Sequence, residues 1–359
     1  MAVIAGRPAR GALLPPQLRA LTGTRSGALA IFVVRRILWL VPIVFFVIVI
    51  TFTLMHLAPG SPWDKGGGRQ LSDTVVNNLN IRYGLNKPVF TPWFDFSTGH
   101  FIPFRWDDQF KLYIWNVAHF DFGLSYQYQG KTVSNLLLES WPYTATIGVL
   151  AFLLIIPIGV GLGVVAALRQ NTRIDYITMG FATIAASFPN FVIGALMVVA
   201  FSVLAYRVTG GNFYLPAAGF AMDDSLIMPV VTLALLPIAY TARLTRASTL
   251  ETIRQDFVRT AWAKGLPERL VVVRHVLKNS LIPVVTTLGP TFAFLVTGSV
   301  IVETVFAIPG IGRAFVVAIE SRDYPMILGT TILFSLVVAI ANLVVDVLYV
   351  FIDPRVRLT

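Results

Sequence analysis

Arg259-Thr260-Ala261-Trp262-Ala263-Lys264-Gly265-Leu266-Pro267-Glu268, followed by Arg274-His275-Val276-Leu277-Lys278-Asn279, is a charged elbow set between apolar stretches of membrane-spanning length. Glu251 and Asp256 precede Arg254 and Arg259 by three residues, a spacing that supports a solvated helix. Gly265 can take the left-handed conformation that ends such a helix, and Pro267 suits the first turn of the next. The stretch therefore predicts helix, glycine bend, helix, with the small residues Ala261 and Ala263 letting a partner approach. An amphipathic loop lying on headgroups would share the charges, but it would not need the Gly-Leu-Pro break.

Outward from the elbow, the composition places the chain in lipid. Of its 359 residues 56% are hydrophobic and only 13% charged, and the mean hydropathy is +0.74. That is more apolar surface than one soluble core of this length can bury. A spanning helix needs about 20 residues, and six runs approach or exceed that: Ile37–Leu57, Tyr143–Leu168, Ile177–Tyr206, Met228–Tyr240, Leu281–Val302 and Met326–Ile352. The fourth reaches spanning length only by continuing through Thr249, with Arg243 and Arg246 extending their charged heads to the interface. Pro42, Pro157, Pro189, Pro237, Pro283 and Pro290 fall inside these runs, where a membrane bundle can re-satisfy the carbonyls they free. The predicted fold class is an all-α polytopic membrane protein with six transmembrane helices and a mixed extracytoplasmic insertion after the first.

Basic residues set the orientation. With the N-terminus cytoplasmic, the inner segments hold 18 of the 28 Lys and Arg residues against 5 acids, as short cytoplasmic loops should. Both termini are then cytoplasmic. The pI near 10 is explained by this topology and by anionic lipid rather than by nucleic acid, which is not expected as a partner. Residues 1–30, rich in Arg, Gly, Ala and Pro, read as a disordered cytoplasmic tail, and 31–57 as a first helix that acts as an uncleaved anchor. Residues 58–140 read as an extracytoplasmic subdomain, dense in aromatics and carrying seven charges of each sign. Its expected role is either a contact surface for a substrate-delivering protein or a lid over a pathway, or else packing and interface anchoring. Residues 141–352 form the core with the loop 249–280, and 353–359 a short cytoplasmic tail.

Catalytic chemistry has few footholds. The chain has no cysteine, which excludes disulfides and thiolate sites. Gly130-Lys131-Thr132 ends like a phosphate loop, but six residues separate it from Gly123 where the motif requires four. No zinc helix or nucleophile elbow occurs, so neither a catalytic residue nor a metal or cofactor ligand is expected in this chain. Asp346 is the one acid within a span, on the same helical face as Asn342 and Asp353. A structural ion pair with a basic residue of the charged segment leading to the elbow, such as Arg243, is expected ahead of a proton or ion site. Gly159-x-x-x-Gly163-x-x-x-Ala167 presents a small-residue stripe for close helix packing, within the bundle or against a second subunit.

The elbow's spacing resembles the "EAA" coupling loop of ABC importer permeases. Further stretches extend the likeness: Tyr83-Gly84-Leu85-Asn86-Lys87-Pro88, Phe122-Gly123-Leu124-Ser125, Ser187-Phe188-Pro189-Asn190-Phe191, Val302 to Arg313, Arg322-Asp323-Tyr324-Pro325, Asn342 to Tyr349 and Asp353-Pro354-Arg355. From about residue 30 to the end they are similar to the first permease subunit of dipeptide/oligopeptide ABC importers. The resemblance implies a type I ABC importer fold, paired with a homologous second permease, two ATP-binding subunits and an extracytoplasmic substrate-binding protein. ATP and Mg would then be bound by the partner ATPases. It maps Arg259, Thr260, Ala261, Gly265, His275 and Leu277 onto the motif that docks in an ATPase groove, with Ala263 and Pro267 shaping the same elbow. Arg259 stands where the motif has its name-giving glutamate and Lys278 where it usually has proline, and the insertion around Thr91–Asp108 is longer than usual.

The resemblance implies a permease rather than an enzyme, located in a bacterial or archaeal inner membrane and carrying short peptides. Oligosaccharides, nickel chelates and glutathione are alternative cargoes of similar permeases. A stand-alone channel or ion-coupled carrier is the competing class, but its signs, polar residues along several spans and half-helix pairs at midplane, are nearly absent.

Overall fold

A computed structural model describes residues 25–63, 71–91, 94–95, 100–101 and 108–352. The predicted tails lie outside these, apart from residues 25–30, as does most of the lengthened Thr91–Asp108 stretch. Helix α1 runs Arg25–Leu57, so helix is already established where a tail was expected. The insertion contributes α2 (Asp73–Arg82), a two-residue antiparallel ribbon pairing β1 (Phe94–Asp95) with β2 (His100–Phe101), and α3 (Gln109–Ala118). Helices α4 (Val133–Leu168), α5 (Arg173–Ser187), α6 (Asn190–Thr209) and α7 (Ile227–Ile253) follow. Then come α8 (Asp256–Ala263), α9 (residues 268–297), α10 (Val300–Val305), α11 (Ile311–Glu320) and α12 (Tyr324–Ile352). Among the described residues six helices are long and apolar enough to cross a membrane.

Three predicted spans change shape. Helix α4 starts at Val133, with Thr132 as its N-cap, so the second span begins inside the stretch assigned to the insertion. The third run is two helices: Phe188, held extended at ψ 133° ahead of Pro189, ends α5, and only α6 has spanning length. A residue before proline is pushed out of the helical region, and uniform apolarity had hidden the break. The fifth run stops at Gly298, whose φ of +109° closes α9 before α10 begins. The fourth run does continue through its arginines, to Ile253.

The core lies where α4 and α7 meet. Ile147, Ala151 and Ile155 of α4 are buried with Leu233, Ala234 and Ile238 of α7, Leu295 of α9 and Phe306 beyond α10. The small-residue stripe faces α7: a Cβ at Gly159 would lie 2.9 Å from Thr241 Cβ, and one at Gly163 would lie 2.5 Å from both Ala242 O and Thr245 Cβ. Ala167 is buried one turn further on. The stripe thus serves packing within this chain. Backbone approach this close lets the two longest-interfacing helices gain dispersion contacts along their length.

On the insertion side, three of the quoted motifs converge. Buried Asp323 accepts hydrogen bonds from the Ser125 hydroxyl and from the Gln127 and Met326 amides, the last two at 3.2 and 3.3 Å. Tyr83, Tyr126 and Trp63 form an edge-and-face cluster, Trp63 donating its indole N–H to Asn80 at 2.8 Å. Arg322 donates to the Ser61 carbonyl at 3.2 Å. Phe52 and Met55 of α1 are buried with Leu328 of α12, and Phe110 and Tyr113 of α3 pack on them. These contacts seat the insertion on the ends of α1 and α12.

Asp346 pairs with Arg36 of α1 at 2.8 Å, not with Arg243, which is exposed. Helices α1 and α12 run antiparallel, so the basic end of α1 arrives at the level of Asp346, and Arg243 lies on a different helix. Arg246, expected only to reach the interface, instead makes a two-pronged ion pair with Asp175 at 2.6 and 2.7 Å.

Candidate coupling site

The elbow is built around its own small core. Val258 and Ala261 on one face of α8 are buried against Val271 and Val276, with Ile253 and Leu266 packed beside them. Helix α8 ends as the spacing predicts: Gly265 sits at φ +76°, its N–H bonds Trp262 O at 2.9 Å and the Leu266 N–H reaches Ala261 O at 3.4 Å. This pair of bonds satisfies carbonyls that the helix end would otherwise leave orphaned, and Leu266 closes the hydrophobic contact that accompanies it. A Cβ at Gly265 would meet nothing within 4 Å. Glycine is therefore needed there for conformation and not for space. Pro267 lies one position earlier than expected, as the N-cap of the following helix.

Burial divides the expected coupling residues. Arg259, Thr260, Ala263, Gly265 and Pro267 are exposed, alongside Phe257 and Trp262. Ala261 is buried, so it makes room for this chain's own valines rather than for a partner. His275 and Leu277 are half-buried in Val271–Leu277, a stretch wound as π-helix that runs directly into the rest of α9. Arg259 lies 3.7 Å from Asp256, both largely in solvent, where such a pair contributes little. The outward face is thus a patch of two aromatics, an arginine, a lysine and small residues, carried by a helix whose other face is fixed.

The elbow is tied to the bundle by polar contacts that sequence reading missed. Ser248 of α7 donates to Ser280 O of α9 at 2.7 Å, and Thr249 donates to the Ser280 hydroxyl at 3.3 Å. Two turns before the end of α7, the Arg246–Asp175 pair joins α7 to the start of α5. The hydrogen bonds from Arg246 hold the Asp175 carboxyl below its ordinary range, burial working against them, with the Asn171 amide and the arginine's charge adding to the lowering. Asp175 and Arg246 are 71 residues apart, and nothing in their local spacing links them. Helix α8 thus stands outside, α7 and α9 are joined at Ser280, and α5 is attached to α7 through this ion pair and through Ala182 and Ala185 packed on Ala239.

A second missed residue lies at the opposite end of the bundle. Glu303, 3% exposed, accepts from the Thr144 hydroxyl at 2.9 Å through one oxygen and from the Arg313 amide at 2.9 Å through the other. Thr144 in turn accepts from the Ile311 amide at 2.9 Å. Glu303 and Thr144 therefore cap the N-terminus of α11 from outside that helix. A Cβ at Gly310 would lie 2.5 Å from the Glu303 carboxyl and from the Thr144 oxygen, which is why glycine is needed there.

Comparison with known proteins finds relatives along nearly the whole chain. Residues 159–358 match the family described as binding-protein-dependent transport system inner membrane component, and residues 29–148 match its N-terminal counterpart. The chain is 41% identical over 326 residues to the oligopeptide transport system permease protein OppB of Salmonella typhimurium, covering 91% of this chain and 99% of that one. It is 35% identical over 331 residues to the dipeptide transport system permease protein DppB of Bacillus subtilis, covering 92% and 99%. Among solved structures, an inward-facing MetNI methionine ABC transporter chain aligns with a TM-score of 0.49 at 17% identity, covering 61% of this chain and 96% of that one.

Proposed function

We propose, from the premise that this chain belongs to the binding-protein-dependent transport system inner membrane component family, that it is the permease subunit of an ATP-driven importer of short peptides. It is a multi-pass inner-membrane protein. Relatives of both oligopeptide and dipeptide type span nearly its whole length, which supports peptides as cargo. A second permease completes the pathway, two ATPase subunits bind ATP and Mg, and an extracytoplasmic binding protein delivers the peptide. Both termini and the elbow face the cytoplasm, and this chain carries no catalytic residue of its own.

The observation that carries the mechanism is α8: a short helix fixed on one face by Val258 and Ala261 and open on the other at Arg259, Thr260, Trp262 and Ala263. That open face is the dock for an ATPase groove. Closure of the ATPase dimer on ATP pulls α8. The Ser280 contacts pass the motion to α7 and α9 together, and the Arg246–Asp175 pair passes it to α5. Energy enters only as a difference in contact between the two states. The tight α4–α7 packing at Gly159 and Gly163 makes those two helices move as one body.

The deciding experiment is peptide uptake into proteoliposomes holding this chain with its second permease, ATPases and binding protein. ATP-dependent uptake that needs every component is expected. The Gly265→Arg variant, which sets a long side chain on the docking face, should abolish uptake or prevent co-purification of the ATPases. Uptake by this chain alone would overturn the importer reading, and oligosaccharide uptake in place of peptide would overturn only the cargo.

A further inference from the structure

Helix α1 leans chiefly on α12, and the seam between them is not closed. A groove of about 440 Å³ runs along it, walled by Trp39 and Ile43 of α1 and by Phe334, Val338 and Ala339 of α12, with Arg36 at its mouth. At 1.5 Å per residue, Arg36 lies about 30 Å from Leu57 along α1, one hydrocarbon thickness. The mouth is therefore at the membrane boundary and the groove runs inward from it.

The groove is lined mostly by apolar side chains; of the two polar residues on its α12 wall, Ser335 already donates to Thr331 O at 2.9 Å and Asn342 lies one turn from Asp346, so the slot offers water few partners and suits an acyl chain. The mouth selects the headgroup. Arg36 makes one contact with Asp346 and lies over the Phe32 ring at 5.5 Å, yet half of its side chain stays exposed and a guanidinium has five N–H donors. Arg35 adjoins it, so Arg35, Arg36 and Asp346 together leave a net positive charge at the boundary. The Arg36 guanidinium can match phosphate oxygens bidentately, and exposed Trp39 sits at the level where indoles anchor to headgroups.

We propose that the α1–α12 groove is a binding site for one anionic phospholipid, its acyl chain between Trp39 and Ala339 and its phosphate on Arg36, with Arg35 adding positive charge at the same boundary. The bound lipid completes the packing of a helix that the protein itself holds along one side only. The site is independent of the cargo and of the ATPase dock.

The test is native mass spectrometry of the full-length chain in its complex, equilibrated with equal phosphatidylglycerol and phosphatidylcholine. The wild type should retain phosphatidylglycerol preferentially. Arg35→Gln, which leaves the Arg36–Asp346 pair intact, and Arg35→Gln/Arg36→Gln should each reduce that preference by on the order of fivefold per arginine removed. Ala339→Phe, which fills the groove and leaves both arginines in place, should release the lipid outright. Arg243→Gln, removing an exposed cation elsewhere, should change nothing. An unaltered preference in the double variant, retention in the Ala339→Phe protein, or an equal loss in Arg243→Gln would overturn the site. Displacement of the lipid by excess inorganic phosphate would reduce it to an anion contact with no seat for a chain, and would overturn the lipid assignment.

Discussion

Single buried carboxylates fix the ends of the elements here. Replacing Glu303 by Gln leaves one oxygen where two accept, so either the Thr144 hydroxyl or the Arg313 amide loses its partner. The loss of a charge-assisted bond in a buried site should cost about 1.5–3 kcal/mol, read as a lowered thermal midpoint in detergent. An unchanged midpoint would show that the cap on α11 is not stabilising. Asp108 does the corresponding work in the insertion, where it is fully buried and N-caps α3. Burial alone would raise its pKa, but hydrogen bonds from Thr91 and Lys111 outweigh that and bring it down to about 2. A folded pKa below the unfolded value of about 3.9 means stability fully present above that value and lost as pH falls toward 2. Protease resistance of the insertion should fall over that window, and the Asp108→Asn protein should be less resistant at pH 6 yet show no step across the window. A step of the same size in the variant would assign the transition to another group.

Elements were legible where one residue's backbone decides the outcome, and hidden where a contact crosses the chain. The end of α8 could be read from Gly265 because a left-handed residue there has one common identity. The length of α7 followed from hydrophobic extent plus two arginines with long stems. By contrast, the Asp175–Arg246 tie joins residues 71 apart, and the Ser280 clamp uses serines and threonines that look like ordinary helix positions. Phe188-Pro189 carried the signal for a break, but an apolar run on both sides outweighed it. An acid within a span calls for a cation, and Asp346 has one, but it is Arg36 and not the expected Arg243, because sequence does not say which helix lies beside α12. The element-level prediction concerns Gly265. Since added bulk meets no neighbour, Gly265→Ala should cost only the left-handed backbone penalty, roughly 1–2 kcal/mol. Hydrogen exchange should then quicken across residues 256–266 and stay unchanged in α7. Exchange at the wild-type rate would mean that the end of α8 is held by the Leu266 contact instead.

Across the whole molecule, six spans put the insertion on one side and the elbow, Arg36 and Asp346 on the other. The absence of cysteine makes that sidedness directly measurable. Cysteine in place of exposed Asn77 of α2 should react with an impermeant maleimide in intact cells, and cysteine in place of Lys264 only after the membrane is opened. The reverse pattern would invert the orientation. At this scale the asymmetry of packing is plain: α4 and α7 are pressed together through glycines, whereas α1 is held along a single seam. The seven residues Val271–Leu277 are wound more loosely than the helix they lead into, and such turns hold an extra residue against the ordinary i to i−4 pairing. Each residue released in rewinding them would twist one end of α9 against the other by roughly 100°. If α8 is the dock, these turns would act as a torsional clutch between dock and span, slipping or gripping as those few backbone bonds re-pair.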